Sequence, residues 1–171
     1  MKILITGTSG VGKTSVLAEL QKYGFVVIDL DATGICRWRN KTTKEFTEYG
    51  PSGRDPEWLA QHEWYCDVST LKTLLSCIRE DKDIFVAAMP HNVSEFAHDF
   101  DKIFLLTANE DVIRKRLAER KNNHFARKEE EQEFVLKSMK EIISSLKDFT
   151  EVDSQSPETT AKEILTTLDL N

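Results

Sequence analysis

Apolar residues fall along the chain in short unbroken runs, at Ile3 to Thr6, Phe25 to Ile28, Ile84 to Ala88 and Ile103 to Leu106, with a weaker run at Phe149 to Val152. Unbroken rather than alternating hydrophobicity predicts strands covered on both faces. Between them, apolar positions recur at helical spacing over Lys13 to Lys22, Pro56 to Arg79, Asp111 to Arg120, Lys128 to Leu146 and Pro157 to Leu168. Strand and helix alternate from end to end, which predicts an α/β fold with a five-stranded parallel sheet and helices on both faces, three layers in all. Two segments break the rhythm, Asn40 to Asp55 and Lys121 to Arg127; in such a domain these are places for substrate loops and lids.

Composition narrows the class. A chain of 171 residues, 40% hydrophobic, suits one domain spanning 1–171 with a core of its own. No apolar run nears the ~20 residues of a membrane span, and the formal charge of −6 without a long basic stretch argues against a nucleic-acid-coating surface. Cys36, Cys66 and Cys77 form no Cys-x-x-Cys pair and lie in stretches that otherwise read as helices, so they are expected as reduced thiols. The expectation is a soluble, cytoplasmic monomer or homodimer with no nucleic-acid or membrane partner.

Candidate chemistry begins after the first strand. Gly7-Thr8-Ser9-Gly10-Val11-Gly12-Lys13-Thr14 matches G-x-x-x-x-G-K-[ST] in full, between a predicted strand and a predicted helix. The glycines let the backbone curl so that N–H groups across Gly7, Ser9, Gly10, Val11 and Gly12, and at the helix start with Lys13, Thr14 and Ser15, point at phosphate oxygens. Lys13 is expected to reach the β and γ phosphates of ATP and Thr14 to hold Mg²⁺. A GTPase switch would need Asn-Lys-x-Asp, and the one Asn-Lys, Asn40-Lys41-Thr42-Thr43, lacks the aspartate. A motor ATPase would end a hydrophobic strand in an acid, and Ile84-Phe85-Val86-Ala87-Ala88-Met89-Pro90 does not.

The second strand is read as running Phe25 to Asp31, which places Asp29 and Asp31 at alternate positions on one side of its carboxyl end. That edge of an open α/β sheet is where ligands sit. One carboxylate can orient a metal-bound water while the other takes a proton from an acceptor hydroxyl; the competing role is structural, with Asp31 as a helix cap and Asp29 in an ion pair.

With the phosphate loop and Asp29-Leu30-Asp31, the chain resembles the small P-loop kinases of the nucleoside monophosphate kinase type, a group that includes adenylate, shikimate, gluconate and dephospho-coenzyme A kinases. The resemblance covers nearly the whole chain and implies a P-loop NTPase fold with a short lid. It also implies an ATP-dependent, magnesium-assisted phosphotransferase in which Asp29 supports the metal and Asp31 binds or deprotonates the acceptor hydroxyl. Arg116 and Arg120, four apart on one helix face, correspond to the arginine pair that lies under adenine and reaches the phosphates. Residues 121–127 correspond to the lid, with Arg127 joining the phosphate grip, while Ser154 and Gln155 neighbour the base.

The chain departs from those kinases after the third strand, where Ala88-Met89-Pro90-His91-Asn92 replaces both the acid and arginine of adenylate kinase and the glycine run of shikimate kinase. The acceptor side is then expected within residues 32–80, with Asp31, Arg37, Arg54, Asn92 and Arg127 as substrate-binding candidates. All three tryptophans, Trp38, Trp58 and Trp64, lie there beside arginines, which suits a flat acceptor such as a nucleotide or nucleoside. Trp58, Leu59, His62 and Tyr65 at helical spacing read equally as core. The alternatives are transfer to a non-nucleotide hydroxyl metabolite and a P-loop ATPase serving as a nucleotide-binding regulator.

Overall fold

The computed structural model describes residues 1–48, 55–79, 81–120 and 125–170. Its main sheet holds five parallel strands, β1 (Lys2–Thr6), β2 (Val26–Asp29), β6 (Ile84–Ala87), β7 (Lys102–Thr107) and β8 (Thr150–Asp153), in the order β2-β6-β1-β7-β8. Alternate residues of these strands face two cores. Leu4, Val86 and Ile103 pack against α4 (Val68–Ser76) and α6 (Glu129–Ser145) through Leu71, Leu75 and Ile142. Ile3, Ile5, Phe85 and Phe104 pack against α1 (Lys13–Lys22) and α7 (Pro157–Thr167) through Val16, Leu20, Ala161 and Ile164. The inner strands β1, β6 and β7 are thus buried on both faces, which is why they read as unbroken apolar runs, while the edge strand β8 is largely exposed and reads weaker. No helix of the described residues is long and apolar enough to cross a membrane.

Two sequence readings are corrected here. First, Pro56 to Arg79 is not one helix. Asp55 caps a short α3 (Pro56–Gln61), His62 to Cys66 form strand β5, and Asp67 caps α4 by accepting a hydrogen bond from Thr70 N at 3.1 Å. The stretch carries two overlapping patterns: helical spacing through Leu59, His62 and Cys66, and a two-residue alternation through His62, Trp64 and Cys66. Pairing decides between them, because β5 lies antiparallel to β3 (Cys36–Asn40) and β3 to β4 (Phe46–Thr47), a second sheet of order β4-β3-β5. Cys36 and Cys66, read as helical, are therefore opposed strand residues, both free and buried. Second, β2 stops at Asp29, and Asp31 lies in the four-residue turn α2 (Leu30–Thr33) rather than on the strand.

The small sheet has two chemically distinct faces. Trp38 and Trp64 stand opposite one another on the inner face, while Arg39 opposes Glu63 on the outer. Trp38, 6% exposed, is the hub of an aromatic cluster, with ring centroids 5.2 Å from Trp58, 5.6 Å from Trp64, 5.3 Å from Phe125 and 6.4 Å from Phe134. This cluster joins the small sheet to α6 and the segment before it.

Candidate active site

The P-loop leaves the carboxyl end of β1, the central strand of the main sheet. Gly7 adopts φ +141°, and a Cβ there would lie 2.5 Å from the carbonyl oxygen of Leu106, so β7 leaves room for no side chain. Gly12, at φ +115°, sets the chain into α1. Among the described residues, the N–H of Val11 is bonded to Thr8 O at 3.2 Å, while those of Gly10, Gly12, Lys13 and Thr14 have no acceptor, and Thr8 Oγ1 is buried without a partner. Converging unpaired N–H groups at a helix start fit an anionic phosphate chain.

Lys13 is 9% exposed and folds back over the loop, its Nζ donating to Gly7 O at 2.7 Å and Thr8 O at 3.3 Å. Burial pushes its pKa down, opposed by the carboxylates of Asp31 and then Asp29. Both acids therefore act electrostatically on Lys13, Asp31 from a helical turn rather than from the strand.

The two carboxylates are held differently. Asp29 caps α2, its Oδ1 accepting from Asp31 N at 3.1 Å, and its Oδ2 accepts from Thr14 Oγ1 at 2.7 Å. The cap assigned to Asp31 as its competing role thus belongs to Asp29. Thr14 and Asp29 form a pair of hard oxygen donors of the kind Mg²⁺ takes, so the residues present fit that ion. Asp31 accepts from Trp64 Nε1 at 2.8 Å. Desolvation by the surrounding protein pushes its carboxyl pKa up, opposed by Lys13 and by the Trp64 hydrogen bond, while the side chain keeps solvent contact.

Two arginines of α5 (Glu110–Glu119) and its C-terminal cap brace the loop. Arg116 donates to Val11 O at 2.9 Å and to Gln155 O at 3.4 Å, and Ser154 Oγ donates to the same Val11 carbonyl. Arg120 donates to Ser9 Oγ at 3.2 Å; burial pushes its pKa down, opposed by Asp31, with Arg127 adding to the downward push. Arg120, Arg127, Lys13 and Asp31 thus share one electrostatic neighbourhood. Ser15 and Gln155 are exposed at its rim.

Two substrate candidates, Arg37 and Asn92, are not brought into this neighbourhood. Arg37 stands on the outer face of the small sheet, 3.9 Å over the Phe46 ring, because strand alternation turns it away from Trp38. Asn92 is buried, and its amide is committed to β5: Oδ1 accepts from Cys66 N at 2.9 Å and Nδ2 donates to Cys66 O at 3.0 Å. Arg54 lies outside the described residues, as do residues 121–124 of the expected lid; at the lid's far end Phe125 packs on Trp38 and Ala126 is buried. Sequence reasoning placed Trp64 among the acceptor-side aromatics but missed its bond to Asp31, and missed the support it receives from His91. The signal was the alternation of His62, Trp64 and Cys66, masked by the helical pattern over the same stretch.

Residues 3–137 match the AAA_18 family model, an AAA domain. No curated protein matches the chain. Among solved structures it is similar to shikimate kinase from Bacteroides thetaiotaomicron, with TM-score 0.62 and 18% identity over 99% of each chain. It is similar to deoxyadenosine kinase from M. mycoides, with TM-score 0.62 and 18% identity over 99% of this chain and 100% of that one. For gluconokinase from Sinorhizobium meliloti 1021 the values are 0.54 and 18%, over 98% of this chain and 91% of that one. At these identities the likeness is one of fold, and it extends from the first strand to the last helix. Carrying a complete P-loop on the central strand of a P-loop kinase sheet, and matched over residues 3–137, the chain belongs to the AAA_18 family of AAA domains.

Proposed function

We propose that this protein is a magnesium-assisted phosphotransferase that moves the γ-phosphate of ATP to a hydroxyl of a small acceptor, in the first instance a nucleoside or nucleotide. The observation that carries the reading is the anchoring of Asp31: its carboxylate is held by a separate element through Trp64 at 2.8 Å, keeps solvent contact and acts electrostatically on Lys13 of the P-loop. A nucleotide switch has no need of an anchored carboxylate beyond the phosphate loop; a hydroxyl acceptor does.

In this reading the unpaired N–H groups of Gly10, Gly12, Lys13 and Thr14 bind the phosphates, and Lys13 leaves its carbonyl partners to neutralise charge on the γ-phosphoryl group. Thr14 and Asp29 would hold Mg²⁺, which supplies charge neutralisation on the phosphate oxygens. Asp31 takes the proton of the acceptor hydroxyl as its oxygen bonds to phosphorus; the bond from phosphorus to the bridging oxygen breaks, and ADP leaves. Arg116, Arg120 and Arg127 complete the grip on the phosphates, with Gln155 beside the base and residues 121–127 as a lid that excludes water. The aromatic inner face of the small sheet, beside Asp31, supports a flat acceptor.

The test is incubation with γ-labelled Mg-ATP and a panel of nucleosides, nucleoside monophosphates and sugar acids. Label on a nucleoside or nucleotide supports the reading; label on a sugar acid keeps the phosphotransferase and changes its acceptor. ATP turnover with no labelled acceptor assigns the protein instead to the ATPase or regulatory class.

A further inference from the structure

Asp31 is fixed from two directions. Its backbone is set by the α2 turn, where Asp29 Oδ1 accepts its N–H, and its side chain by Trp64, whose Nε1 donates to Oδ1 at 2.8 Å from a position thirty-three residues along the chain. Among the described residues Oδ2 has no partner. Trp64 is itself immobilised. Its ring stands edge-on to Trp38, and its backbone is clamped to the segment after β6: His91 N donates to Trp64 O at 2.8 Å, and Trp64 N donates to His91 Nδ1 at 3.1 Å.

We infer that Trp64 is a positioning residue for the general base: its indole N–H holds one oxygen of Asp31 so that the other is presented to the acceptor hydroxyl. A carboxylate on a short exposed turn rotates freely about its side-chain bonds. One charge-assisted hydrogen bond from a rigid donor removes that freedom before substrate arrives, so the chemical step need not supply the ordering. Phenylalanine at this position would keep the aromatic wall and lose only the donor. This inference rests on the phosphotransfer reading, because a positioning residue requires a base to position.

Two measurements test it on the full chain. The first is independent of turnover. The three tryptophans give three indole N–H resonances in a ¹⁵N correlation spectrum, and Trp64→Phe identifies the relevant one by its loss. Asp31→Ala should move that resonance upfield and leave the other two near their places; an unmoved Trp64 signal overturns the contact.

The second is a double-mutant cycle with Mg-ATP and the acceptor labelled in the panel. Trp64→Phe should lower kcat on the order of tenfold with KM for ATP within about twofold, as expected for loss of one hydrogen bond to a charged group. On an Asp31→Asn background the same change should cost less than about twofold, because the group it serves is already gone. Additive losses mean that Trp64 supports the fold and not the base, and the inference fails while the function stands. If ATP turns over and no acceptor is labelled, the function itself fails, and the inference with it.

Discussion

Thr14 Oγ1 donates a hydrogen bond to Asp29 Oδ2 at 2.7 Å, tying the residue after the P-loop lysine to the last residue of β2. Asp29 also caps α2 through its other oxygen, so one side chain connects the phosphate loop, the sheet edge and the turn that carries Asp31. A metal-supporting role predicts that Asp29→Asn raises the Mg²⁺ concentration for half-maximal turnover on the order of tenfold, the usual scale for outer partners of a metal site. A magnesium titration at fixed ATP checks this. An unchanged midpoint with reduced kcat would leave Asp29 as a structural cap only.

Lys13 is buried and charged in a loop whose own carbonyls are its hydrogen-bond partners. Burial disfavours its charged form in the free protein, so removing it relieves a cost in folding. Lys13→Ala should therefore keep or raise the melting temperature without nucleotide, while lowering turnover by at least about 10²-fold through lost charge stabilisation. Calorimetry with and without Mg-ATP measures both: the free variant melts no lower than wild type, and the nucleotide-induced rise shrinks. More than about a tenth of wild-type turnover would remove Lys13 from the chemistry.

Asn92 satisfies both backbone groups of Cys66 from inside the protein. Asn92→Ala leaves a buried N–H and C=O unpaired and should cost about 2–6 kcal/mol of stability, since each orphaned group loses on the order of 1–3. Denaturant unfolding reads this directly. Loss of acceptor binding with unaltered stability would restore Asn92 to the substrate site.

Burial holds the His91 pKa below the ordinary 6.5, opposed first by the contact of its Nδ1 with Trp64 O at 3.3 Å; the same nitrogen lies 3.1 Å from Trp64 N. The unfolded chain then binds a proton more readily than the native one. This contribution is whole above pH 6.5 and is lost as the pH falls from there toward the lowered native value. Lys41 adds to the downward push, and Glu63 and Glu141 oppose it. The melting temperature should fall between pH 7.5 and 5.5, and His91→Phe should start lower and fall less over that range. Parallel curves for both proteins would exclude His91 as the titrating group.

How much of this was legible in the chain depends on whether the deciding interactions were local. Helix α1 was bounded at both ends from its spacing, and the five strands of the main sheet were located to within a residue or two. Two buried faces leave no alternation, and a fully apolar run of that length has few other uses. The phosphate loop was legible for a related reason: it is contiguous, and its glycines answer steric demands made within a few residues. Residues 32–80 were different. Nothing local separates the helical from the alternating pattern through His62, Trp64 and Cys66; the choice is made by β3, some twenty-five residues away, which supplies a strand to pair with. With that pairing came the corrections: Arg37 turned outward, Cys66 became a strand residue held by Asn92, and Trp64 moved to the side of Asp31. Sequence alone determined the fold class and the phosphate loop, because their physics lies within single elements. Tertiary structure decided which side chains surround Asp31, because that depends on the register between strands distant in sequence, and strand pairing sets which face each residue takes.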